Sequence, residues 1–256
     1  MVEFAQKCKG GVTVYRYAFD SYHSFAVFGL SCSDTNCSRG AIVLNQALTI
    51  CQTIFPQTLL PSRAAVFYAP NGPMSFKQNS IITLKTESRY PVQMFYQFAH
   101  ELCHLCTPDP VPEKFEFFEE SLCELASLAL LSEAARHPEL NPLFCDNVTA
   151  NDAFSSYLGT VKREPQPSGT AAFLTEHLEA LQKDRYLRPL NAALAFALLP
   201  LFQQDISAWH LLSYLNRMNA SLDFPDALSL LCREIHTQVP AVSVLHQTLL
   251  GKPLVL

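Results

Sequence analysis

His100, Glu101 and His104 stand in the order His-Glu-x-x-His within FYQFAHELCHLC. On a helix the two imidazoles fall one turn apart on one face, where both can reach a single metal ion. Glu101 points about 100° away and can face a water and a substrate instead of the metal. Zinc held there would lower the pKa of a bound water, and the carboxylate would take the proton as oxygen attacks a carbonyl. The sequence predicts the helix from Pro91 to Cys106. Pro91 suits a first helical position, and the pattern breaks at Thr107-Pro108-Asp109-Pro110. Phe95, Phe98, Leu102 and Leu105 fall opposite the histidines, whereas Gln93, Tyr96, Gln97 and Thr107 share their side. One side therefore suits a core and the other a polar cleft.

A catalytic zinc takes a third protein ligand and keeps one position open. The next helix, expected over about 113–136, offers EKFEFFEESLCELASL. Glu116, Glu120 and Glu124 lie at i, i+4 and i+8, with Cys123, Ser127 and Leu131 on the same face. An acidic stripe is commonly just a solvated face. This one turns small and apolar after Glu124, and the far side (Phe115, Phe118, Leu122, Leu125, Ala129) is apolar too. A helix apolar on both sides is expected to be buried, and a buried carboxylate needs a partner. Cys103, Cys106 and Cys123 are competing donors, and a closed His/Cys site would be structural. Helical geometry brings Cys103 nearer the cleft and turns Cys106 to the apolar side, while burial as a small apolar residue is the commoner use of free cysteine.

His100-Glu101-x-x-His104 followed by Glu120-x-x-x-Glu124 resembles the gluzincins, zinc metallopeptidases whose third ligand is a glutamate from the following helix. In shape the chain resembles the compact minigluzincins most. The resemblance covers roughly residues 63–131. It implies Zn2+ held by His100, His104 and Glu120, Glu101 as general base, and Glu124 as a carboxylate that orients a histidine ring. It also implies an edge strand at Ser80 to Thr86 to which an extended peptide substrate adds. Two departures stand out. Fifteen residues separate His104 from Glu120, fewer than in thermolysin-like enzymes, and Ser121 replaces the usual glycine. Glu124, nineteen residues beyond His104, has the longer spacing and is the rival ligand. Gluzincins often supply an oxyanion-stabilising group downstream, where Tyr157, His177 and Tyr186 lie, and no motif selects among them.

The elements that must hold these residues follow from pattern. Strands are expected at 12–18, 63–69 and 80–86, a polar loop at 31–40, a helix from Ala41 to Phe55, and a turn at Asn71-Gly72-Pro73. After a loop near 138–148, helices are expected near 150–163, 169–184, 188–203, 205–218 and 225–236. The pattern implies an α+β fold with an all-helical C-terminal lobe, and the gluzincin resemblance implies that the first part is a zincin-like core of a small sheet, the His-Glu-x-x-His helix and the glutamate helix. The expected domains are 1–137 and 138–256.

Composition narrows the function further. The 256 residues carry a net charge of −5 and no basic run, which argues against nucleic-acid binding. The longest greasy stretch, Ala192 to Leu201, is about half a membrane span. Glu3 and Lys7 interrupt the N-terminal residues where a secretory leader would be apolar. The nine cysteines are scattered rather than dense, so a reducing, cytoplasmic setting is expected. Cys32 and Cys37 read as ordinary thiols, and His210 beside Trp209 as a packed or capping histidine. The expected function is zinc-dependent hydrolysis of a peptide or protein substrate. One alternative is a zinc-binding, proteolytically inactive regulatory or interaction module on the same fold. The other is a metal-free helical interaction protein.

Overall fold

The computed structural model describes residues 2–7, 13–19, 24–28, 34–69, 71–144, 148–165 and 168–256, with side chains from residue 39 onward. The expectations for Cys8, Cys32, Cys37 and Cys145 fall outside those side chains. The architecture is α+β and mostly helical. It divides into two compact units: residues 1–53, 60–105 and 130–159 form the first, and 54–59, 106–129 and 160–256 the second.

The first unit holds a sheet of β1 (Val2–Lys7), β2 (Thr13–Phe19), β3 (Ser24–Phe28), β4 (Arg63–Tyr68), β5 (Met74–Phe76) and β6 (Ile81–Leu84). Their spatial order is β1-β2-β3-β4-β6-β5. The first three strands form an antiparallel meander, β3, β4 and β6 run parallel, and β5 returns antiparallel on β6. Period-two burial sets the inner face: Ala64 and Val66 on β4, Ile82 and Leu84 on β6 are all buried. The β4–β5 turn is tight. A Cβ on Gly72 would sit 2.9 Å from the Thr83 hydroxyl and 3.4 Å from the Ala69 carbonyl, so the backbone approaches as only glycine permits.

The strand at Ser80 to Thr86 is therefore not an edge. β6 is covered on both sides, and β5, a three-residue strand, is the edge next to it. The helix expected from Ala41 begins earlier, as α1 (Asp34–Ile54), taking in part of the segment read as a loop. Polar residues do not break a helix unless their side chains divert the backbone, and Gly40 alone costs about 1 kcal/mol. Ala41, Val43, Leu44, Ala47, Leu48 and Cys51 make its buried stripe, and the helix stops before Pro56.

The remaining elements of this unit include α2 (Pro91–Cys106), except its last residue, and α4 (Ala150–Thr160). Thr149 caps α4 reciprocally with Asp152: its hydroxyl accepts from the Asp152 amide at 3.1 Å and donates to the Asp152 carboxylate at 2.7 Å. Phe154 of α4 stacks on Phe95 of α2 at 5.0 Å between centroids.

The second unit contains most of α3 (Glu116–Ala134), then α5 (Thr170–Lys183), α6 (Arg188–Gln204), α7 (Phe224–Ile235) and α8 (Val242–Leu250). Residues Ile206–Arg217 form a 3-10 helix instead of the expected α-helix. The sequence explains the tighter winding: Trp209, Leu212 and Leu215 recur every third residue, so three residues per turn aligns them, and all three are buried. Trp209 packs on Phe55 and Phe202 at 4.4 and 4.7 Å. Phe224, following the Asp223 cap, is ringed by Phe115, Phe117 and Phe118. α8 ends at Gly251, whose φ of 68° glycine takes without strain. No helix among the described residues is long and apolar enough to cross a membrane.

Past the C-terminus of α3, His137 bridges Glu139 (2.6 Å) and Glu133 (3.4 Å). The hydrogen bond that the His137 ring donates to the Glu139 carboxylate holds the His137 pKa above its ordinary 6.5, and the same bond holds Glu139 below its ordinary 4.5. The histidine's contribution is thus complete below pH 6.5 and is lost as pH rises through its raised value. The Glu139 contribution is complete above pH 4.5 and is lost as pH falls through its lowered value. The stability difference between the wild type and His137→Gln is expected to be largest between pH 4.5 and 6.5 and to shrink on either side, measured by urea titration across pH.

Candidate metal centre

α2 spans the residues expected of it, from Pro91 to Cys106. Phe95, Phe98, Ala99 and Leu102 are wholly buried, which fixes the helix's rotation. Leu105, expected among them, is half-buried. His100 and His104 are half-buried, with ring centroids 5.2 Å apart in an edge-on arrangement. Glu101 is only 4% exposed. The upstream part of the histidine stripe is not open cleft. The Gln97 side-chain Oε1 accepts from the backbone amides of Lys85 (3.0 Å) and Thr86 (3.3 Å), and the Thr86 hydroxyl donates to Gln93 Oε1 at 3.2 Å. Tyr96, one turn before His100, meets Tyr157 of α4 at 5.6 Å between rings.

The glutamate helix is buried as its two apolar sides predict: every residue from Ser121 to Leu131 is buried. Its polar groups are served locally. Ser121 Oγ lies 2.8 Å from the Phe117 carbonyl and 3.1 Å from Asn191 Oδ1. Asn191 Nδ2 donates to the Arg185 carbonyl at 2.7 Å, and the Arg185 guanidinium donates to Glu116. Arg185 is thereby held in the protonated form by the carboxylate and the neighbouring Tyr186 phenol against partial burial. Glu120 is half-buried, and Glu124 is buried at 4% exposure.

His100 and His104 offer two imidazole donors on successive turns of α2. On α3 the competing thiol, Cys123, is wholly buried. Imidazoles and a thiolate are donors that suit zinc and other borderline-soft ions. The thiol expected nearest the cleft on helical geometry is Cys103. It lies buried beside Cys51, whose own thiol is pushed well up by burial and by Cys103. Cys123 was visible in the sequence as a residue on the glutamate face, three positions after Glu120. Nothing in the spacing favoured it.

The other candidates scatter. Tyr157 lies on Tyr96, His177 packs on Phe173 of its own helix at 4.6 Å, and Tyr186 is exposed beside Arg185. His210 is half-buried in the 3-10 helix. Asn191, immediately before the Ala192–Leu201 run, is a further buried polar residue that no motif marks. Its signal was an amide inside the buried face of α6.

No protein-family model, no curated protein and no solved structure matches the chain.

Asn191 uses both ends of its amide while only 4% exposed. Asn191→Leu strands the Arg185 carbonyl and one partner of Ser121, and is expected to destabilise by about 1–3 kcal/mol in denaturant titrations with an unchanged slope.

Proposed function

We propose that this chain is a zinc-dependent peptidase with a zincin-like core, acting on peptide or protein substrates in the cytoplasm. The observation that carries the reading is the pair of half-buried imidazoles on successive turns of α2, with a buried carboxylate next to the first. The order of elements supports it: strand β4, the antiparallel edge strand β5, strand β6 parallel to β4, and then the histidine helix. The edge strand β5, not β6, is the one an extended peptide would join, with backbone amides and carbonyls supplying register.

In this reading His100 and His104 hold the metal and Glu120 is the third ligand. Zinc, when bound, supplies Lewis acidity towards the water and the scissile carbonyl. Glu101 takes the proton from the attacking water and returns it to the leaving amine, which needs it poised within hydrogen-bond reach of both. Glu124 accepts from a histidine ring and fixes its tautomer, as metal-bound imidazoles require.

A second reading has its own observation. Cys123, three positions after Glu120 on the same face of α3, is a wholly buried thiol, whereas Glu120 is half-buried. A thiolate ligand would make the centre structural or regulatory, a zinc-binding module without hydrolysis.

Zinc analysis on protein purified without added metal separates these from a metal-free protein: about one zinc per chain is expected. Glu101→Gln is expected to keep that zinc and to lose hydrolysis by at least about a hundredfold. Undiminished hydrolysis in this variant would remove Glu101 from the mechanism. Glu120→Ala and Cys123→Ser then identify the third ligand, since the true one should weaken zinc binding by about a hundredfold and the other should not. Loss with Cys123→Ser alone, together with absent turnover in the wild type, would establish the second reading.

A further inference from the structure

Gln93, Gln97, His100 and His104 fall within about 60° of arc on α2, at 100° per residue. They form one continuous stripe with two uses. The first two side chains bind the chain where it leaves β6: Gln97 accepts from the amides of Lys85 and Thr86, and Gln93 accepts from the Thr86 hydroxyl. The last two are the imidazole pair. Thr86 is only 8% exposed, so its amide has little water to fall back on if Gln97 is lost.

The strand side of this contact is tied to the sheet edge. Thr83 of β6 pairs with Met74 of β5, and its hydroxyl also donates to the Met74 carbonyl at 3.1 Å. Edge strand, β6, the 85–86 amides, Gln97 and His100 thus form an unbroken series of hydrogen bonds and one helical turn. Only six residues, 85–90, connect the end of β6 to the start of α2. Without a fixed point in that connection, the strand could slide along the helix by a fraction of a residue.

We infer that Gln97 is a positioning residue: by capping the exit of β6 it sets the distance along the sheet between the peptide-accepting edge and the histidine pair. The inference rests on the peptidase reading above. Both histidines are on α2 itself, so zinc binding does not depend on Gln97. What depends on it is where an edge-bound peptide presents its carbonyl. A carbonyl displaced by about 1 Å is enough to cost a large factor in turnover.

The test compares Gln97→Met, which keeps length and loses the acceptor, with Gln97→Glu, which still accepts two amides. Thr86→Val provides a milder break of the Gln93 contact should the methionine variant fold poorly. Expected for Gln97→Met are exchange of the Lys85 and Thr86 amides faster by about tenfold, kcat/KM lower by about tenfold, and zinc content unchanged. Gln97→Glu is expected to restore both, and Thr86→Val to shift kcat/KM the same way by a smaller factor. Amides that loosen while kcat and KM stay at wild-type values would overturn the inference. So would loss of zinc in Gln97→Met, or a glutamate variant as impaired as the methionine one. A wild type that binds zinc and cleaves no peptide removes the peptidase reading and this inference with it. An active wild type beside an unaffected Gln97→Met removes the inference alone.

Discussion

A helix without access to water cannot leave a polar group unserved, and the glutamate helix is the clearest instance here. From Ser121 to Leu131 it has no solvent-facing side, yet that run includes Ser121, Glu124 and Ser127. Each hydroxyl turns back onto a carbonyl one turn earlier, Ser121 to Phe117 and Ser127 to Cys123. This is the standard local resort of serine inside a helix. At the first turn, Glu116 draws in Arg185, and Asn191 joins the Arg185 carbonyl to Ser121. The apolar rings of Phe115, Phe117 and Phe118 around Phe224 then enclose the rest. The polar and apolar contacts act together. The rings exclude water, which raises the cost of any unmade hydrogen bond, and the made bonds leave the helix one rotation to adopt.

The same logic accounts for two other histidines of the chain. His246 is buried, but both ring nitrogens are spoken for. Nδ1 faces the Lys252 carbonyl, so it carries the hydrogen, and Nε2 meets Ser229. Burial, with Lys252 and Arg233 nearby, lowers its pKa and favours the neutral form. His137 is committed to two carboxylates. His100 and His104 differ in lying ring to ring on successive turns of one helix.

Much of this was legible from residue order. α2 could be bounded to the residue because proline opens it, a proline-rich break follows it, and the apolar spacing between is helical. The burial of α3 followed from apolar residues on both of its sides. The short elements were not legible. β5 has three residues, and its pairing comes from Gly72 allowing the chain to turn back closely on Thr83. Without β5, β6 looked like an edge. α8 has nine residues and little polar contrast to show a face. At the site, local spacing found the imidazole pair because i and i+4 are neighbours on any helix. A third donor has to come from another element, and at that range residue order left Glu124 as a rival to Glu120 and Cys123 as a competing thiol. The Gln97 contact depends on where a strand ends, which the sequence blurred by two residues.

The shared stripe on α2 has an evolutionary consequence. Substitutions can exchange its side chains one at a time, but a single inserted or deleted residue between 93 and 104 rotates everything beyond it by about 100°. The glutamines would then hold the strand while the imidazoles swung into the core, or the reverse. Length variation along this lineage should therefore collect in the connections on either side of the helix, and the helix itself should behave as a fixed-length cassette whose two halves can drift in identity but not in phase.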